Sequence, residues 1–405
     1  MIRLYRRLFY VHKLFFKLGI ACLLFSIAEA SPTTKTPIKG LVDMGDISFY
    51  NTGTAPNNNL DNITQTAANG IFGGVVINVT WAQLQPNDND TITTTVIDQM
   101  LQLIEDYNSK NTSAPIYARL RVWGGFAAPD WIKELNGGKI QIDACKQGGL
   151  INDQKGQIGL WWEDSYLNKW QDLQTLLAQK YDDVQLIKEV SITSCASATD
   201  EPFIAWNDIT VVEELKNKYG YRNKFQKKCI SDALTHYRAW KNTLLVFPFN
   251  PFFKLSAETT DEAQANPKDD GGTCNVAKST LDIEFTKKIM RQCVDNGQCI
   301  LSNQSLNGGK IDGALQTVYQ YINKLIKENS NTFANYQAAS PTVLSDWCLA
   351  MKKGRNHHAQ SVELWPSTPK CPGFTSLTSK QLKDLSNFLV SNQDGCQVPN
   401  PCNSD

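Results

Sequence analysis

The feature that most constrains the fold is an alternation that runs through most of the chain. Eight short runs of aliphatic and β-branched residues are separated by longer segments whose apolar residues recur at helical spacing. Strands that alternate with helices are typical of a parallel sheet, and the count of eight favours closure into a (β/α)8 TIM barrel. The predicted strands are 41–48, 74–81, 116–123, 187–194, 244–250, 299–304, 333–338 and 361–365.

The segments between these strands predict one domain rather than several. No repeat, low-complexity tract or long linker divides residues 40–405, so we predict a single barrel domain whose C-terminal tail is tied by disulfides. Two long segments, 127–160 and 252–279, are predicted to be irregular loops after the third and fifth strands. The predicted helices are 94–107, 161–181, 223–240, 280–295, 314–328, 343–353 and 379–391, with a weaker candidate at 61–69.

The first 30 residues have the pattern of a secretory signal peptide. A basic segment is followed by a short apolar core, and Ala28-Glu29-Ala30 matches the A-x-A cleavage pattern. The apolar core is shorter than the roughly 20 residues of a membrane span, although an uncleaved anchor stays open as the alternative. Residues 31–39 are polar and predict a tether. We therefore expect a secreted protein, extracellular or periplasmic, without stable membrane association after cleavage.

The charge balance argues against nucleic acid as a partner. Residues 1–30 hold five of the 40 basic residues and one of the 40 acidic ones, so the remaining chain is slightly acidic. Nucleic acid and anionic membranes both require concentrated basic charge. The sequence gives no indication of an oligomeric state.

Cysteine usage indicates an oxidising compartment. Ten of the 11 cysteines lie outside the first 30 residues, and an even number behind a signal peptide suggests disulfides. The spacing favours three pairs, which are Cys293 with Cys299, Cys396 with Cys402, and Cys195 with Cys229. No CxxC pair is present, so we expect no metal site, and no nucleotide-binding loop indicates a cofactor. The GxSxG motif of serine hydrolases is also missing.

Side-chain alternation predicts a polar barrel interior. Every second residue of a barrel strand faces inward, and polar residues on one face need partners there or a ligand. The apolar faces suit contact with the helices. The polar faces contain Arg119, Arg121 and Trp123 in strand three, Ser361, Glu363 and Trp365 in strand eight, Asn335 and Gln337 in strand seven, Asn250 in strand five and Asp43 in strand one.

Two carboxyl groups stand where a TIM barrel carries its chemistry. Glu201 follows strand four and Glu363 ends strand eight, and the carboxyl-terminal strand ends form the active site of such barrels. Hydrolysis of a glycosidic bond needs one carboxylic acid to protonate the leaving oxygen and a second carboxylate as nucleophile or base. Alternatively, the Asp-Glu-Pro run is a loop cap and Glu363 is paired with Arg121. Competing carboxylates are Asp43, Asp46 and Asp200, whereas Glu189 is predicted to be structural.

Tryptophan is concentrated at the predicted strand ends and in the loops after them. Flat indole faces can stack on sugar rings, although any one of these residues could simply pack in a loop. The predicted substrate-binding residues are Asp43, Trp81, Arg121, Trp123, Asp200, Asn250, Gln337 and Trp365.

Three stretches resemble the clan of (β/α)8 retaining glycoside hydrolases that includes cellulase-like and β-galactosidase-like families. They are GGVVINVTWAQLQP at the second strand, LRVWGGFAAPDW at the third and ATDEPF after the fourth. In its RVWGGFAAP, TDEPF and ELWP segments the chain also resembles a group of uncharacterised secreted bacterial proteins. The resemblance implies a barrel in which Glu201 is the acid/base. It departs from the clan at Asp200, where the clan has Asn, and in the second glutamate, which the clan carries on strand seven.

Together these features predict a secreted glycoside hydrolase that acts on an oligo- or polysaccharide through Glu201 and Glu363. The alternative is a carbohydrate-binding barrel without catalysis, which the missing glutamate on strand seven favours.

Overall fold

Eight parallel strands close into a barrel in the computed structural model, which confirms the predicted fold class. Their order around the barrel is β1-β8-β7-β6-β5-β4-β3-β2. The strands are β1 Gly40–Asp43, β2 Phe72–Thr80, β3 Tyr117–Trp123, β4 Ile187–Ser191, β5 Leu244–Pro248, β6 Cys299–Leu306, β7 Ala334–Ala338 and β8 Ala359–Leu364.

The structure describes residues 35–45, 70–89, 91–143, 155–196, 201–202, 209–259, 266–267, 273–274, 277–311, 313–367, 371–391 and 395–402. All of them belong to one compact unit, Thr34–Asp405. The predicted signal peptide, the helix at 61–69, Asp46 and Asp200 lie outside the described residues. Within the described part, no helix is both long enough and apolar enough to cross a membrane.

Helices connect most of the strands, and their core-facing sides follow the apolar periodicity of the sequence. The bounds are α1 Trp81–Leu84, α2 Thr95–Lys110, α3 Asp130–Lys133, α4 Asp164–Tyr181, α5 Ile209–Asn217, α6 Asn223–His236, α7 Ile283–Asn296, α8 Gly313–Glu328, α9 Trp347–Asn356 and α10 Ser379–Val390.

Within the described residues, the prediction missed α5, the short helices α1 and α3, and three β-hairpins, the shortest of which pairs Asn266–Pro267 with Thr273–Cys274. The sequence of α5 begins with Ile-Thr-Val-Val, and β-branched residues are weak helix formers, so the pattern did not indicate a helix. Residues 252–279 were predicted to be an irregular loop, but Phe252–Thr259 pairs antiparallel with Ala277–Asp282. A second hairpin pairs Ile140–Asp143 with Lys155–Ile158. The alternation of apolar and polar residues in these segments is short and interrupted by polar residues, so it did not indicate strands.

Apolar residues inside the barrel form two small clusters that are separate from the main core. One contains Ile38, Val42 and Val76, and the other contains Leu244, Val246 and Ile300. The opposite strand faces, such as Ala118, Leu120 and Val122, pack in the main core with the helices. The predicted inward and outward alternation of β3, β5 and β8 is therefore confirmed.

Residues 35–39, predicted as part of a tether, pack against the amino-terminal end of the barrel. The Lys35 ammonium donates to the carbonyl oxygens of Val184 and Ile187, both at 2.8 Å, and to Thr243 Oγ1 at 2.9 Å. Burial lowers the pKa of Lys35 to about 8. The Ile38 backbone N–H donates to Glu189 Oε1 at 2.8 Å. This segment therefore covers the amino-terminal end of the barrel, where its buried polar groups find hydrogen-bond partners.

Four disulfides lie within the described residues, and two of the three predicted pairs are confirmed. Cys195 bonds to Cys229 and Cys293 bonds to Cys299. The predicted pair of Cys396 with Cys402 is wrong, because Cys396 bonds to Cys348 of α9 and Cys402 bonds to Cys371. Spacing along the chain could not reveal partners that only folding brings together. Four disulfides are typical of proteins that fold in an oxidising compartment.

We predict that peptide mapping without reductant will recover Cys348 linked to Cys396 and Cys371 linked to Cys402. The C-terminal tail is then held at two separate places, which restricts the unfolded chain more than one short local loop would. Peptides that join Cys396 to Cys402 would contradict this connectivity. The Cys293–Cys299 pair, which sequence and structure agree on, is the internal control for the digest.

Candidate active site

The floor of the barrel interior is built around Arg119. Its guanidinium bonds to Glu189 Oε2 through Nε at 2.8 Å and to Glu363 Oε2 through Nη1 at 2.8 Å. Glu189 Oε1 in turn accepts from Asn335 Nδ2 at 3.1 Å. One arginine of β3 thus links a carboxylate of β4 to a carboxylate of β8 across the barrel, which agrees with the structural role predicted for Glu189.

Arg121 and Gln337 complete the surroundings of Glu363. Arg121 Nη2 lies 2.6 Å from Glu363 Oε2 and 2.9 Å from Oε1. Gln337, with its amide oriented to satisfy both neighbours, donates to Glu363 Oε1 at 3.1 Å and accepts from Trp365 Nε1 at 3.1 Å. The pairing of Glu363 with Arg121, which the sequence offered as the alternative to a catalytic role, is therefore present. Both oxygens of this carboxylate are therefore engaged by protein donors.

The four charged groups of this cluster are deeply buried and balance in sign. Arg119 and Arg121 are each 2% exposed, and Glu189 and Glu363 are 0% exposed. Removing ions from water costs several kcal/mol each, which opposite partners and hydrogen bonds must offset. A cluster of two arginines and two glutamates meets that condition because each carboxylate contacts at least one guanidinium.

Glu201 lies beyond the carboxyl-terminal end of β4 and is 7% exposed. Its Oε1 accepts a hydrogen bond from Nδ2 of Asn250, which follows β5 by two residues. Asn250 shares the parity of Leu244 and Val246, both of the interior cluster, as the sequence predicted. Glu201 and Asn250 therefore meet at the barrel mouth, where TIM barrels carry their chemistry.

Helix α6 anchors the segment that carries Glu201. Gln226 Nε2 donates to the carbonyl oxygens of Cys195 and Pro202, both at 3.2 Å. Gln226 Oε1 accepts from Trp161 Nε1 at 2.6 Å, and the disulfide from Cys195 to Cys229 ties the same segment to the helix. These contacts bracket Glu201 on both sides and restrict where its carboxyl group can lie.

The predicted aromatic residues have different surroundings. Trp123 donates from Nε1 to Asn78 Oδ1 at 3.0 Å, and its ring centroid lies 5.9 Å from the Arg121 guanidinium carbon. Trp365 is partly exposed beyond β8. Trp81 is 0% exposed and belongs to the main core, where its ring packs edge-on against those of Trp131, Tyr166 and Trp170. Because no face of Trp81 is open, its packing explains this residue better than contact with a sugar.

Asp43 does not share the face of the interior cluster. It has the parity of Leu41, which packs in the main core, whereas Val42 lies inside the barrel. Asp43 Oδ1 accepts from the Gly45 N–H at 2.8 Å, which forms a turn at the end of β1. Gly45 has a φ of 72°, and a Cβ there would come within 2.5 Å of the Val76 carbonyl oxygen. The strand therefore ends at Asp43 rather than at residue 48.

Sequence reasoning missed three buried polar residues that support this region. Arg119 was placed on the inward face, but its link between two glutamates was not foreseen. Asn303 and Tyr319, described below, gave no signal because they look like ordinary strand and helix residues. Among the described residues, no group of three or more His, Cys, Asp or Glu side chains is placed to hold a metal ion.

No protein-family model matches the sequence, and a search of curated proteins finds no match. Solved structures give distant similarities. They include the catalytic domain of a β-amylase from Paenibacillus polymyxa (TM-score 0.47, 6% identity, 80% of this chain and 90% of that one). An endo-glycoceramidase II from Rhodococcus sp. has a TM-score of 0.47 and 10% identity, over 84% of this chain and 76% of that one. An endo-β-1,4-glucanase from Xanthomonas axonopodis pv. citri has a TM-score of 0.45 and 12% identity, over 86% of this chain and 99% of that one. Similarities of this size do not assign an activity.

Proposed function

We propose that the protein is a glycoside hydrolase in which Glu201 is the general acid/base. The observation that carries this proposal is the placement of Glu201 at the mouth of the barrel, nearly buried and held at one oxygen by Asn250. A carboxyl group with one oxygen fixed and little water around it is suited to transfer a proton to a leaving oxygen. The resemblance of ATDEPF to the acid/base segment of the retaining clan agrees with this role.

Glu363 is proposed as the electrostatic partner rather than the nucleophile, so the second carboxylate of the reaction has to come from another segment, for which Asp46 and Asp200 are the candidates. Its two oxygens contact Arg119, Arg121 and Gln337, and the side chain is fully buried. A nucleophile must reach the anomeric carbon, and a carboxylate with these contacts would first have to release a guanidinium. In the proposed role it fixes the positions of Arg121 and Gln337.

The remaining proposed contacts with sugar come from residues around this cluster. Trp365 is partly exposed and its indole N–H is fixed by Gln337, so its ring has a defined direction. Trp123 is also fixed, by Asn78, but is only 4% exposed, so Trp365 is the better placed of the two. Rigid indole faces with occupied N–H groups are suited to stacking on sugar rings. Asn250 and Asp200 complete the proposed set.

The burial of Glu363 also favours a second candidate, which is a carbohydrate-binding barrel without turnover. If neither Asp46 nor Asp200 supplies the second carboxylate, hydrolysis lacks its nucleophile or base and the barrel only binds carbohydrate. Secretion is proposed for either function, because the leader pattern of residues 1–30 agrees with the four disulfides.

A panel of aryl glycosides together with plant, fungal and bacterial polysaccharides separates the two candidates. We expect turnover of at least one member, detected as released phenol or new reducing ends. Retention of the protein in a polysaccharide gel without turnover of any substrate would support the binding barrel instead. A preparation of Glu201→Gln, purified in parallel, controls for contaminating hydrolases.

A further inference from the structure

A chain of polar side chains connects Glu201 to the outer layer of the fold. Asn250, which donates to Glu201 Oε1, accepts at its own Oδ1 from Asn303 Nδ2 at 2.9 Å and from Ser305 Oγ at 3.3 Å. Asn303 Oδ1 accepts from the Tyr319 hydroxyl at 3.0 Å. Asn303 of β6 is 0% exposed and Tyr319 of α8 is 1% exposed, so neither can touch a substrate.

The backbone fixes the direction of the Asn303 amide. Its Oδ1 accepts from the Ser305 N–H at 3.0 Å, and its Nδ2 donates to the Phe249 carbonyl oxygen at 3.0 Å. A backbone N–H can only donate and a carbonyl oxygen can only accept. If the amide were rotated by 180°, its NH2 group would face the Ser305 N–H and its oxygen would face the Phe249 carbonyl oxygen, and neither pair could form a hydrogen bond. Asn303 therefore has one allowed orientation.

The orientation of Asn303 determines that of Asn250. Because Asn303 presents Nδ2, Asn250 must present Oδ1 to it and direct its own Nδ2 toward Glu201. Oε1 of Glu201 then always meets a donor, and a proton on that oxygen would face an N–H group. When Glu201 is protonated, the proton has to lie on Oε2.

We propose that Asn303 is a positioning residue that acts through Asn250 to make Oε2 the proton-carrying oxygen of Glu201. The hydrogen bond to Oε1 also favours the ionised form of the carboxylate. The catalytic meaning of this arrangement rests on the proposed acid/base role of Glu201, whereas the arrangement itself does not.

The hydroxyl group at the outer end of this chain is uncharged. Burial raises the pKa of Tyr319, so this hydroxyl is a neutral donor at ordinary pH. Within the described barrel interior, Arg119 and Arg121 contact Glu189 and Glu363, and this cluster is balanced in charge. The amide of Asn250 is thus the polar group whose orientation is set by Asn303 and felt by Glu201.

The test measures the pKa of Glu201 by carbon-13 NMR of protein labelled at the glutamate carboxyl carbons, with Glu201→Gln identifying the resonance. Asn250→Leu should raise the pKa by about 1 to 2, because it removes a hydrogen bond that favours the charged carboxylate. Asn303→Leu should raise it by a smaller amount. In the Asn250→Leu variant, adding Asn303→Leu should not change the pKa of Glu201 further.

Two tyrosines provide a milder, matched pair of variants if Asn303→Leu does not fold. Tyr319 and Tyr336 stack with ring centroids 5.3 Å apart, and both are buried, but the Tyr336 hydroxyl donates to the His357 carbonyl oxygen. Tyr319→Phe should raise the pKa of Glu201 slightly, and Tyr336→Phe should leave it unchanged. The two variants remove the same group from neighbouring positions.

The proposal would be overturned if Asn303→Leu left the pKa of Glu201 unchanged. It would also be overturned if Asn303→Leu shifted that pKa by the same amount in the parent protein and in the Asn250→Leu variant. If Asn303→Leu does not fold, equal values in the two tyrosine variants would do so. If the pKa shifts as expected but no substrate is turned over, the chain of hydrogen bonds stands and the proposed function fails. If both hold, the alkaline limb of kcat/KM should move to higher pH by the same amount, because the general acid stays protonated longer.

Discussion

Replacing Glu201 by Gln is expected to lower kcat/KM on an unactivated saccharide by about 10²- to 10⁴-fold, the usual contribution of a general acid or base. The amide has nearly the shape of the carboxyl group, and its oxygen can still accept from Asn250 Nδ2. The fold and the hydrogen bond should therefore persist while proton transfer is lost. Thermal unfolding of the variant should be close to that of the parent protein.

The matched control for this variant is Glu213→Gln on the exposed side of α5. It makes the same chemical change at an exposed side chain and should retain full activity. Loss of activity in both variants, or in neither, would contradict a specific role for Glu201.

The second large effect concerns the buried ion cluster. Glu363→Gln should lower the free energy of unfolding by about 3–5 kcal/mol, because removing one partner leaves a buried charge uncompensated. Arg119 and Arg121 would then face Glu189 alone in a site that is almost closed to water. Urea or guanidinium unfolding with a two-state analysis measures the change.

A charge-balanced double variant separates charge from packing in this cluster. Glu363→Gln combined with Arg121→Met removes one charge of each sign, so it should be more stable than the sum of the two single variants by at least about 1 kcal/mol. Glu328→Gln, which breaks the exposed pair with Arg291, should cause no comparable loss. If Glu363→Gln left the free energy of unfolding nearly unchanged, the four charges of the cluster would not depend on one another as proposed.

The alternation of strands and helices was enough to predict the barrel, because each strand had a clear apolar face. The same alternation placed Arg121 and Glu363 on interior faces, and their contact follows from closing the barrel around them. Element ends were less predictable. β1 is short because a glycine turn follows Asp43, and that turn depends on the neighbouring β2 backbone.

The contacts that support Glu201 could not be read from the sequence. Asn250, Asn303 and Tyr319 come from β5, β6 and α8, and their order as donors and acceptors depends on two backbone groups that only the folded chain brings near. The prediction of the disulfides in the C-terminal tail was wrong for the same reason. Local spacing describes pairs within one segment, whereas these partners belong to different elements.

The most direct test of Glu201 as the general acid compares two leaving groups on the same sugar. A dinitrophenyl glycoside needs little protonation of its leaving oxygen, whereas an alkyl or sugar leaving group depends on it. The account predicts that Glu201→Gln loses far more kcat/KM on the poor leaving group than on the dinitrophenyl substrate. Equal losses on both substrates would contradict it and would mean that Glu201 acts in binding or folding rather than as the proton donor.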